Sequence, residues 1–195
     1  MTGSSDAAAR QAQRQPVPAG REPEPWLRGT LTAIPPVQRA VIHALELAGE
    51  DLRLWGGSLT AEEFYRRPYG LPPVSFHLRH ISGSLDRFFT YAQGAALSAV
   101  QLAALAGEMD GPGEQEAALD EFQASLRRAA EYLRESAGRD LSEPVKIGRK
   151  ELPSTLGGLL VHAADHTQRH AGQAVTTAKL LLAMRSAPGI GTTKY

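Results

Sequence analysis

Between the break MDGPGE and the glycine at 138, the segment EQEAALDEFQASLRRAAEYLRESAG spaces Leu119, Phe122, Leu126, Ala129 and Leu133 three or four residues apart. That period puts all five on one side of an α-helix, whereas a strand would need alternation at every second residue. The same spacing recurs in three other long stretches. VQRAVIHALELAGEDLRLWGG carries Val37, Val41, Ala44, Leu45, Ala48, Leu52 and Trp55, with Pro35 and Pro36 before it and Gly56 and Gly57 after it. VSFHLRHISGSLDRFFTYAQG carries Val74, Leu78, Ile81, Leu85, Phe88, Phe89 and Ala92, from the Pro72-Pro73 pair to Gly94. STLGGLLVHAADHTQRHAGQAVTTAKLLLAMR runs to about Arg185 with Leu156, Leu159, Ala163, Ala174, Thr177 and Leu181 on one stripe. Each such helix has one apolar side to bury, so four of them predict an all-α chain folded as an up-and-down four-helix bundle.

The connections hold less. Thr60 with Glu62 and Glu63 signals one short helical turn to Tyr65, and an Ala/Leu-rich helix is expected from about Ser98 to Leu105. LSEPVKIGRKELP has room for a short extended piece. Residues 1–30 are rich in Gln, Arg, Pro and Gly and nearly lack aliphatics, which predicts a mobile tail. The expected organisation is therefore a tail over 1–30, one bundle domain over 31–187 and a C-terminal tail over 188–195.

Charge and composition exclude several functions. Lys+Arg and Asp+Glu both total 21, so the chain lacks the basic excess of a nucleic-acid binder. No apolar run suits a signal peptide or reaches the roughly 20 residues of a membrane span, which predicts a cytoplasmic protein with no membrane partner. There is no cysteine, so thiolate metal sites and cysteine nucleophiles are excluded, and any thiol chemistry needs an outside thiol.

The chemistry concentrates in HAADHTQRHAGQ, with histidines at 162, 166 and 170. Three imidazoles at successive turns span roughly 12 Å along the axis, too far to share one ion whose bonds are about 2 Å long. His166 and His170 fill the gap in the apolar stripe and face the bundle, while His162 falls off it. An inward H-x-x-x-H pair is a frequent way to set two imidazoles on a metal. Two further histidines, His77 and His80, lie on another long helix, and one of them joining the pair would give three neutral ligands with a position left open. Imidazole ligands suit zinc or nickel. A di-iron carboxylate centre needs Glu-x-x-His repeats, and the chain has none.

Two segments, SLTAEEFYRRPYGLPPVSFHLRHISGSLDRF with its LRHI and DHTQRHAGQ with its H-x-x-x-H-x-G-Q, resemble the DinB-like family of metal-binding four-helix bundles. That family includes thiol-dependent S-transferases and mycothiol-dependent maleylpyruvate isomerase. The resemblance covers about residues 36–185 and implies His80, His166 and His170 as the metal ligands. It further implies a divalent metal, an external low-molecular-weight thiol, a small-molecule substrate and a homodimer. The activity it implies is a metal-dependent transfer or hydrolysis in which a bound thiol or water is activated; the alternative is a stress-associated metal-binding bundle without enzymatic activity. Thr167, Arg169 and Ala171 stand where many members carry Glu, His and Arg, a departure that bears on the substrate more than on the metal.

The helical wheel sets His77 nearer than His80 to the centre of its apolar stripe, which makes His77 a candidate for the pocket beside the metal. His43 and His162 are expected as packing or surface groups. Arg79, Arg87 and Arg169 are candidates for holding a substrate anion, Gln173 for orienting a ligand, and Tyr65, Tyr69 and Tyr91 for the pocket mouth.

Overall fold

The computed structural model describes residues 22–109 and 113–186. The expectations for residues 1–21 and for the C-terminal tail lie outside them. Helix α1 spans Pro36–Gly57, entered through Pro35 and Pro36, whose fixed φ suits a helical first turn. A single turn, α2, spans Ala61–Tyr65 and is closed by a capping box between Thr60 and Glu63. Helix α3 spans Val74–Ala92, and α4 spans Ala99–Ala106 behind a second capping box between Ser98 and Gln101. Helix α5 covers Gln115–Glu135 and α6 covers Leu156–Ser186. Between them lies an antiparallel hairpin, β1 Pro144–Ile147 with β2 Leu152–Thr155, in the connection expected to hold an extended piece.

The stripes predicted from spacing are the core. Leu119, Phe122, Leu126, Ala129 and Leu133 of α5 are buried, and so are Leu156, Leu159, Ala163, Ala174, Thr177 and Leu181 of α6. Helices α1 and α3 each pack on both α5 and α6, so α1 and α3 occupy opposite corners of the bundle. Among the described residues, no helix is long and apolar enough to cross a membrane. Residues 22–30, which composition assigns to the tail, lie against α1. Arg28 makes two hydrogen bonds to Glu50, and the Thr30 hydroxyl lies 3.1 Å from Nε2 of His43.

The all-α bundle is as expected, but its helices do not alternate strictly in direction. Side chains of α5 meet α1 in reverse order: Gln115 donates to the Gly56 carbonyl and Gln123 to that of Gly49. They meet α3 in the same order, Ser125 on Ser82 and Tyr132 on Phe89. Helix α6 runs with α1, Gln168 at Ala44 and Lys179 at Trp55, and against α3, His170 at His77 and His162 at Phe88. The order is therefore up, down, down, up.

Two successive parallel helices need a connection that travels back the full length of the first, about 28 Å for 19 residues. Residues 93–109 run back along it, with α4 laid along the outside of α3. Gln101 near the start of α4 bonds Asp86 and Thr90, and Glu108 just beyond its end reaches Arg87 and His80. Helix α4 has no buried residue of its own, whereas Glu108 is 7% exposed. The return segment thus contributes a buried carboxylate to α3.

Candidate metal centre

Antiparallel packing of α3 on α6 brings His77 and His80 opposite His170 and His166. One nitrogen each of His80, His166 and His170 can be chosen so that all lie within 4.8 Å of one another. Nε2 of His80 and Nε2 of His166 are 3.2 Å apart. Two nitrogens bound to one tetrahedral ion at 2.0–2.1 Å would be separated by about 3.3 Å, so this spacing fits a shared metal.

Burial conditions the imidazoles for that role. It pushes His166 down to about 4, helped by His170 and His80, and it lowers His170 as well, with His80 and Arg169 adding to the effect. Both rings are neutral near pH 7 and present lone pairs, the form that ligates metal. Phe76 stacks on His80, with ring centroids 5.2 Å apart and planes 17° from parallel, and Phe88 meets His166 edge-on at 5.4 Å.

The surroundings of the three rings differ. Nδ1 of His170 lies 3.2 Å from Nδ1 of His77, which is 2% exposed and driven down to about 4 by burial and by His170 and His80. Nδ1 of His80 lies 2.6 Å from Oε2 of Glu108. Nδ1 of His166 is buried without a hydrogen-bond partner. His77 therefore sits at the core, as the wheel has it, and supports His170, whereas His80 stands at the edge of the stripe within the cluster.

The sequence profile described as the DinB superfamily matches residues 44–174, more than half of the chain and a span that includes all of these residues. The chain belongs to the DinB superfamily. No curated protein matches it.

Several residues of this DinB superfamily chain lie where the sequence reading puts them, and others do not. His162 is exposed and contacts Phe88 and His166 by its ring, and His43 is a buried packing group bonded to Thr30. Arg169 pairs with Asp165 one turn away on α6, and Gln173 is exposed. Tyr69 is exposed at one end of the bundle, and Tyr91 lines a groove against the hairpin. Tyr65 and Arg79 border a cavity of about 590 Å³ between α3, the return segment and α5, with the Arg79 guanidinium over the tyrosine ring.

Arg87, a candidate for holding a substrate anion, is instead buried and donates to Glu108 at 2.8 Å and to Ser84 at 3.0 Å. Glu108 was not a candidate from sequence at all. Burial alone would raise its carboxyl, but its bonds to His80 and Arg87 outweigh that and hold it below the usual range. Glu108 stands in no pattern with the histidines, 28 residues from His80, and only the path of the return segment brings it in.

Proposed function

We propose that this protein is a metal-dependent transferase that holds zinc or nickel on His80, His166 and His170 and joins an external thiol to a small electrophile. The observation that carries this reading is the gathering of three imidazoles from two antiparallel helices at ligand spacing. A divalent ion bound there supplies Lewis acidity in a position that three protein ligands leave open, and lowers the pKa of a thiol or water held in that position.

The chain's own residues do the rest. His166 and His170 stay unprotonated because burial disfavours their charged forms. His77 fixes the ring of His170 through Nδ1 and leaves Nε2 for the ion. Phe76 and Phe88 flank the rings of His80 and His166 and restrict their reorientation. A chain without cysteine agrees with a thiol drawn from outside.

The test measures bound metal in the purified protein, then assays the zinc- and nickel-loaded forms against a panel of low-molecular-weight thiols and electrophiles. One ion per chain with thiol consumption is the expected result. An ion without turnover on any thiol would make the protein a metal-binding bundle, and no ion at any purification pH would overturn the reading.

A further inference from the structure

We infer that Glu108 is a positioning residue for the three-histidine cluster: it holds His80 in the tautomer protonated on Nδ1, so that Nε2 faces His166 and His170 as a lone pair. The inference rests on the reading of these histidines as metal ligands. A carboxylate can only accept a hydrogen bond, so the 2.6 Å contact between Oε2 of Glu108 and Nδ1 of His80 requires the proton to be on Nδ1. In the neutral ring Nε2 is then the acceptor, and it is the nitrogen that lies 3.2 Å from Nε2 of His166. An imidazole whose second nitrogen donates to a carboxylate is a stronger and better oriented metal ligand.

The carboxylate is itself held in place. Its other oxygen, Oε1, accepts from Nη1 of Arg87 at 2.8 Å, and the second guanidinium nitrogen of Arg87 donates to Ser84. Gly83 leaves the room for this pair: a Cβ there would stand 2.8 Å from Nη1 of Arg87 and 2.9 Å from Oε1 of Glu108. Arg87 and His80 thus both donate to Glu108, and the groups on α3 that face this network are Gly83, Ser84 and the stacked ring of Phe76.

The isosteric change Glu108→Gln makes a specific prediction. Arg87 can only donate, so it keeps the amide oxygen, and the amide NH₂ then faces Nδ1 of His80. That donor demands a lone pair on Nδ1 and moves the ring proton to Nε2, where it blocks the ligand position.

Two measurements test this on the full chain. The first records imidazole ¹⁵N spectra of the chelator-treated wild type near pH 7.5. His80 protonated on Nδ1 alone is expected, and a proton on Nε2 overturns the inference. The second titrates Co²⁺ into wild type and Glu108→Gln, with circular dichroism confirming the fold. The variant is expected to bind about 10–100-fold more weakly, and equal affinity in a folded variant overturns the inference. If Glu108→Gln does not fold, the tautomer of the wild type decides. If the wild type binds no Co²⁺, it is the three-histidine reading that fails, and the spectra still report whether Glu108 sets the tautomer.

Discussion

His80 on α3 and His166 on α6 meet Nε2 to Nε2 across 3.2 Å, although 86 residues separate them in the chain. The contact exists because α3 and α6 are antiparallel neighbours, and it aligns the first turns of one helix with the middle of the other. It places the cluster on two helices that are also anchored by buried core residues, so the rings are carried by rigid elements and not by loops.

Removing one ligand separates the cluster from its neighbours in sequence. His166→Ala is expected to lower metal affinity by more than about a hundredfold, since loss of an outer-shell partner alone costs about 10–100-fold. His162→Ala, one turn away and exposed, should leave bound metal unchanged. Metal content measured after equilibration with a competing chelator checks both.

Glu63 joins two ends of the fold: its carboxylate accepts from the Thr60 backbone in the α2 capping box and pairs with Arg185 in the last turn of α6. The Arg185 bond is the main reason its carboxyl falls to about 2 from an ordinary 4.5, with burial opposing it. Because the folded value is depressed, this stabilisation is complete above pH 4.5 and is lost as pH falls toward 2. The difference in Tm between wild type and Glu63→Gln should therefore be largest above pH 4.5 and narrow through that window.

Two helical glycines should respond oppositely to alanine. A Cβ on Gly49 would lie 2.9 Å from Cδ1 of Leu126, where α1 and α5 pack, so Gly49→Ala should destabilise by about 1–3 kcal/mol despite better helix propensity. A Cβ on Gly172 meets nothing within 4 Å, and Gly172→Ala should stabilise by about 0.5–1 kcal/mol. Chemical denaturation of the two variants measures both signs.

Arg139 ties the hairpin end of the bundle together, donating to the Ala92 carbonyl at 2.9 Å, to the Tyr132 hydroxyl at 2.9 Å and to Glu143 at 2.6 Å. Arg139→Met keeps much of the aliphatic stem and removes these bonds. A loss of about 1–3 kcal/mol is expected from denaturant unfolding, with metal content unaffected because the site lies nearer the other end of α3.

Helix period, proline entry and glycine exit are local properties, and they were enough to place four long helices with a buried stripe on each, and two short ones. They also separated His162 from His166 and His170, because the angle between residues on one helix is fixed by the helix itself. Directions were not determined in this way. Whether two helices run parallel depends on how far the connection between them travels, and the Ala-, Leu- and Gly-rich residues 93–114 carry no local signal of that path.

The choice between His77 and His80 followed the same division. Both lie on α3 within one turn; the wheel set His77 nearer the core, whereas the LRHI resemblance implied His80 as the ligand. Packing against α6 assigned His77 to support His170 and His80 to the cluster. Glu108 is the clearest case: nothing near it in sequence marks it, and it reaches His80 and Arg87 only because α4 folds back along α3. The sequence alone determined which residues share a helix face, because backbone geometry repeats. Only the tertiary structure decided which faces meet and which distant carboxylate stands behind a histidine, because those depend on the whole path of the chain.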